Sequence, residues 1–180
     1  MARLIVLSGP SGVGKSSVIA RALVDSPHTW LSVSVTTRTP RAGEREGVDY
    51  FFTDRATFAD MVRAGQLLEW ATFAGNDYGT PREPVLQHLA AGEAVLLEID
   101  VQGAMQVRSA MPEAMLVFLA PPSPEHLQAR LAGRGTESPD QLTARLSAAH
   151  SELAAASQFD RIVVNDDVER AAAELVSLLH

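Results

Sequence analysis

The run Gly9-Pro10-Ser11-Gly12-Val13-Gly14-Lys15-Ser16 carries the G-x-x-x-x-G-K-[ST] spacing of a loop that folds around phosphate. Lys15 is the only lysine in the chain, whose other long basic side chains are all arginine. The glycines let backbone N–H groups converge on phosphate oxygens, and the helix that follows adds its positive N-terminal end. A compact ammonium at Lys15 would reach between the β- and γ-phosphates, Ser16 would hold Mg²⁺, and Ser17 closes the set that contacts the nucleotide.

A second chemical signal is the spacing of the arginines. Arg38, Arg41 and Arg45 crowd one stretch, and Arg130, Arg134 and Arg145 form another. Beside a phosphate loop they point to a small, highly charged anion as ligand, although a solvated face would look similar. The formal net charge of −7 argues against DNA or RNA as partner, because nonspecific polyanion binding needs a basic face. With no cysteine, disulfides, thiolate metal sites and a cysteine nucleophile are excluded. His28, His88, His126, His150 and His180 lie far apart, without ligand spacing, and are read as surface or packing residues.

These groups need a scaffold. At 180 residues with 46% hydrophobic composition, the chain reads as one globular domain with a full core. No apolar run reaches membrane-spanning length and no leader pattern precedes the first strand, so the cytoplasm is the expected compartment, with no membrane partner. Composition sets no oligomeric state.

Strand and helix patterns alternate, predicting an α/β fold with a parallel sheet between helices. Arg3 to Ser8 is a predicted buried strand and Ser16 to Val24 its helix. Ala94 to Ile99 and Ala114 to Leu119 are further strands, with a helix from Gln102 to Ala110 between them. Pro121-Pro122-Ser123 marks a turn into a helix over Pro124 to Leu131. Arg161 to Val164 is the last strand and Val168 to Leu179 the last helix.

Two segments break the rhythm. Val33 to Pro81 is turn-rich and polar around Thr36 to Glu44 and Gly75 to Pro81, and reads as a small insertion. Gly133-Arg134-Gly135-Thr136-Glu137-Ser138-Pro139 is a glycine-punctuated loop that suits either a mobile lid or an ordinary helix connection.

The stretch Ser32 to Glu44, followed by Gly47-Val48-Asp49-Tyr50-Phe51-Phe52, resembles the guanylate kinases, which pass a phosphoryl group from ATP to GMP. The resemblance continues in order through Leu68-Glu69-Trp70, Tyr78-Gly79-Thr80-Pro81, Glu98 to Gly103, Arg134-Gly135-Thr136 and Phe159 to Asp167. It covers nearly the whole chain. Agreement among several spaced motifs is more specific than the phosphate loop, which many unrelated nucleotide-binding proteins share.

The resemblance implies a P-loop nucleoside monophosphate kinase fold in a single domain. Its core would be 1–32, 82–132 and 146–180, with a GMP-binding insertion over 33–81 and a lid over 133–145. Arg38 and Arg41 match a bidentate clamp on the GMP phosphate, and Tyr50 and Tyr78 match hydroxyl donors to it. Glu69 matches the residue that reads guanine, where a carboxylate can accept from N1–H and the 2-amino group. Ser34 and Thr80 match hydroxyls completing those contacts, and Asp100 an acidic group near guanine and metal. Glu98 stands where aspartate is expected in many relatives, keeping the charge with a longer reach. Arg134 and Arg145 match lid arginines over the triphosphate, with Arg130 a weaker candidate, and Asn165 and Asp166 match the region flanking the adenine.

The implied substrates are ATP as phosphoryl donor, with Mg²⁺, and GMP as acceptor, dGMP remaining open. Lys15, Arg38, Arg134 and Arg145 would neutralise charge on the transferring group. Two alternatives stand beside this. Asp100-Val101-Gln102-Gly103 fits the D-x-x-G pattern of GTPases, although a chain whose only lysine is Lys15 can hold no N-K-x-D motif. A catalytically inactive interaction module of guanylate kinase descent would be expected to lose residues such as Gly14, Lys15 and Ser16, which are present.

Overall fold

A computed structural model of the chain describes residues 3–132, 147–149 and 151–180. The central strand β1 (Leu4–Ser8) is buried along its whole length. It pairs in parallel with β7 (Ala94–Glu98) on one side, Leu4 opposite Val95, and with β8 (Met115–Ala120) on the other, Ile5 opposite Met115. The edges are β2 (Thr29–Leu31) against β7 and β9 (Arg161–Val164) against β8, giving the order β2-β7-β1-β8-β9, parallel throughout. Beyond the expected strands, the sheet takes up Thr29–Leu31, whose three residues are too few to reveal a period.

Alternation along β1 divides the core. Ile5 and Leu7 face a cluster completed by Val18 and Ile19 of helix α1 (Lys15–Asp25) and by Ala171 and Leu175 of the C-terminal helix Val168–Leu179. Leu4 and Val6 face the opposite cluster, with Ala104 and Val107 of α4 (Val101–Ala110) and Val85 of α3 (Arg82–Ala90). Helices thus cover both faces, as a buried parallel sheet requires. Helix α5 (Pro124–Ala132) follows β8.

The polar stretch after Val33 builds a second, four-stranded sheet in the order β4-β3-β6-β5. Strands β5 (Leu67–Phe73) and β6 (Asn76–Pro81) form an antiparallel hairpin, and β3 (Val35–Thr36) pairs antiparallel with β6 and parallel with β4 (Phe51–Phe52). Helix α2 (Arg55–Arg63) is capped by the Asp54 side chain, which accepts from the Thr57 N–H. It buries Phe58 against Val35 and Leu67. The segment therefore has a small core of its own.

Candidate active site

The loop after β1 takes its shape from glycines whose conformation and surroundings both exclude a side chain. Gly9 has φ 148°, and a Cβ there would stand 2.3 Å from the Leu119 carbonyl oxygen. Gly14, at φ 98°, caps α1 without a side-chain hydrogen bond, leaving the first N–H groups of the helix directed at the loop. The loop is braced from behind. The Asn165 amide donates to the Val13 carbonyl at 2.7 Å, while Arg130 donates to the same carbonyl at 3.0 Å and to the Asn165 carbonyl at 3.3 Å. Asn165 is 1% exposed, and its Nδ2 donor holds the loop's shape. Arg130, read from sequence as a weaker lid candidate, also serves this brace.

Lys15 folds back over the loop and donates to the Gly9 carbonyl at 2.6 Å. Desolvation lowers its pKa from the ordinary lysine value, partly offset by the negative charges of Glu98, Glu152 and Asp100. The Ser16 hydroxyl donates to Glu98, at the end of β7, at 3.0 Å. The extra methylene of Glu98 therefore reaches the phosphate loop.

The loop, the carboxyl ends of β1 and β7, and the second sheet enclose a cleft of about 490 Å³. Lys15, Ser16, Ser17, Ser34, Tyr50, Glu69, Tyr78, Glu98 and Asp100 all line it. This is the crevice at the strand ends where open α/β sheets bind ligands. Among the carboxylates, Glu69 is unusual: it is 4% exposed, and the Thr80 hydroxyl donates to it at 2.7 Å. A register shift between Leu67 and Glu69 sets Glu69 opposite Thr80 across the hairpin. Burial pushes its pKa up to about 7, with the Thr80 hydrogen bond opposing and Asp100 adding to the rise.

Arg38 lies beside the cleft, against the lining residue Tyr50, rather than among the residues that line it. Its guanidinium donates to Glu44 at 2.7 Å and to the Thr39 carbonyl at 2.8 Å, and lies 5.3 Å from the Tyr50 ring centroid. Glu44 also accepts from the Arg41 N–H at 2.7 Å, so one carboxylate fastens the turn bearing both arginines. The rings of Tyr50 and Tyr78 meet edge to face at 6.1 Å. Asp166 is exposed and paired with Arg170 at 2.6 Å. The expected lid over 133–145, with Arg134 and Arg145, lies outside the described residues.

A guanylate kinase family model matches residues 1–180. The chain belongs to the guanylate kinase family. It is 60% identical over 177 residues to the guanylate kinase of Thermobifida fusca (strain YX), an alignment covering 98% of this chain and 90% of that protein. To the guanylate kinase of Synechococcus sp. (strain CC9902) it is 58% identical over 173 residues, covering 96% and 92%. The crystal structure of guanylate kinase from Anaplasma phagocytophilum matches with a TM-score of 0.79 at 34% identity, covering 99% of this chain and 84% of that one.

Within this guanylate kinase framework, the structure adds groups that sequence reasoning passed over. Glu152 accepts from the Ser11 N–H at 3.4 Å, and burial raises its pKa. Nothing in its sequence surroundings set it apart from a helical surface glutamate. Glu44 ends the stretch Ser32 to Glu44, and its tie to Arg38 is a through-space contact that spacing does not show. The D-x-x-G pattern has a structural reason: Asp100 caps α4 by accepting from the Gly103 N–H at 2.7 Å.

Proposed function

We propose that this chain transfers the γ-phosphoryl group of ATP to GMP, giving ADP and GDP. The observation that carries the reading is Glu69, a buried carboxylate held by Thr80 and facing the same cleft as Lys15. An ionised carboxylate accepts from guanine N1–H and from the 2-amino group, whereas adenine presents a lone pair at N1. Sites built on such hydrogen bonds discriminate by roughly 10⁴ to 10⁵.

ATP takes the loop from Gly9 to Ser17, with its adenine toward Asn165 and Asp166. GMP takes the second sheet, its base at Glu69, Ser34, Thr80 and Asp100 and its phosphate at Arg38, Arg41, Tyr50 and Tyr78. Arg38 must exchange Glu44 for the phosphate, and Tyr50 at its ring face keeps the guanidinium partly ordered meanwhile. Ser16 and Glu98 supply hydroxyl and carboxylate oxygens 3.0 Å apart, a hard donor set that fits Mg²⁺ alongside phosphate oxygens. When bound, the ion neutralises charge on those oxygens. Lys15 leaves the Gly9 carbonyl for the β- and γ-phosphates, and Arg134 and Arg145 close over the triphosphate. The acceptor is already an anion, so the residues align and neutralise without a general base. Closure of the insertion 33–81 and the lid 133–145 on the core excludes water from the transferring group.

The cytoplasm, where both nucleotides are found, is the proposed compartment. Among the described residues no helix is long and apolar enough to cross a membrane. A coupled assay for ADP formation with GMP, AMP, UMP and dTMP tests the assignment. GMP is expected to exceed the others in kcat/KM by at least about a hundredfold, and comparable turnover of AMP would overturn it.

A further inference from the structure

We propose that Gly103 is the positioning residue for guanine recognition, because its missing side chain is the space into which the Glu69 carboxylate fits. The proposal rests on Glu69 being the guanine acceptor. Gly103 lies in the first turn of α4 and is buried. A Cβ built on it would stand 2.3 Å from Glu69 Oε2, 3.0 Å from Glu69 Cδ and 3.3 Å from Ile99 Cδ1.

Backbone conformation gives no reason for glycine here. Gly103 is helical and is not among the glycines with positive φ, and in a helix interior alanine is the better former. The reason is therefore space. Glu69 is held from the other side, where Thr80 donates to Oε1 at 2.7 Å. A methyl group at Gly103 has to displace Oε2. Because the obstacle is the end of a flexible side chain, the chain still folds, but the acceptor oxygens leave the position at which they meet the base. The same residue places the neighbouring acid, since its N–H fixes Asp100 at 2.7 Å. The missing side chain makes room for Glu69 alone, since the N–H that holds Asp100 is backbone and any non-proline residue here would keep it.

The test is a double-mutant cycle of Gly103→Ala with Glu69→Ala in the full chain. It is read by calorimetric binding of GMP, by KM for each substrate, and by Tm. Gly103→Ala alone should weaken GMP binding by at least about tenfold, with KM for ATP within about twofold of wild type. In the Glu69→Ala background the same substitution should leave GMP affinity within about twofold and raise Tm by about 2–4 °C, the clash being gone and the helix improved. Equal loss of GMP affinity in both backgrounds would overturn the proposal, because Gly103 would then act independently of Glu69. A silent Gly103→Ala would overturn it while leaving Glu69 as the guanine acceptor. A silent Glu69→Ala would remove the guanine reading itself, and this role of Gly103 with it.

Discussion

Glu69 and Thr80 face each other across the β5–β6 hairpin, hydroxyl to carboxylate at 2.7 Å, at 4% and 0% exposure. A single hydroxyl does not replace the water a carboxylate loses, so the folded chain holds the Glu69 proton up to a pH of about 7 against an ordinary value of 4.5. A raised carboxyl pKa favours the folded state below the ordinary value, and that advantage is lost as pH rises to the folded one. At about 1.4 kcal/mol for each pH unit between them, the loss comes to about 3 kcal/mol. Denaturant unfolding of the wild type should therefore show stability falling between pH 4.5 and pH 7 relative to Glu69→Gln. Parallel pH profiles for the two proteins would contradict the burial of this charge.

The same ionisation governs GMP binding, with opposite sign. Only the carboxylate accepts both guanine donors, so above its pKa the wild type should bind GMP about a hundredfold more tightly than Glu69→Gln. Below pH 7 that advantage should shrink by about tenfold per pH unit. Taking the ratio of the two proteins cancels the titration of the GMP phosphate itself. A ratio constant from pH 5.5 to about 8 would mean that guanine is read elsewhere.

Glu44 should matter although it does not line the cleft. It holds the Arg38 guanidinium and the Arg41 backbone, with 12% and 19% side-chain exposure in the Arg38–Glu44 pair. Glu44→Ala is expected to raise KM for GMP by about tenfold by loosening the turn, with KM for ATP nearly unchanged. Equal effects on both substrates would point to a general loss of structure.

Lys15→Arg keeps the charge and changes its shape. The ammonium fits against the Gly9 carbonyl at 2.6 Å, a space that a planar guanidinium fork cannot share. Turnover should fall by at least about a hundredfold, equivalent to about 2.7 kcal/mol of transition-state stabilisation. Near-normal kcat would remove the loop as the catalytic phosphate cradle.

How far the sequence carried these conclusions varied with length and pattern. The P-loop and β1, β7, β8 and β9 were legible within about a residue, because buried parallel strands read as apolar runs between turn signals. The second sheet was not. Val35–Thr36 and Phe51–Phe52 are two-residue strands, and the hairpin strand Asn76–Pro81 reads as a turn because it opens with Asn-Asp and ends in Gly-Thr-Pro. Glu69 alone reads as a surface glutamate, and only resemblance singled it out. The burial that gives it meaning comes from Thr80 and Gly103, partners distant in the chain.

Because β1 is the middle strand, its hydrogen-bond partners are not its sequence neighbours. Leu4 waits for Val95 and Ile5 for Met115. A ribosome releases the phosphate loop ahead of β7 and β8, yet the strand that aims it is flanked on both sides only after β8 has emerged. Such long-range parallel pairing folds slowly, since loop closure precedes any reward. The nascent chain therefore carries its nucleotide-binding motif well before it has a nucleotide-binding site, and partial chains ending ahead of β8 should not hold ATP.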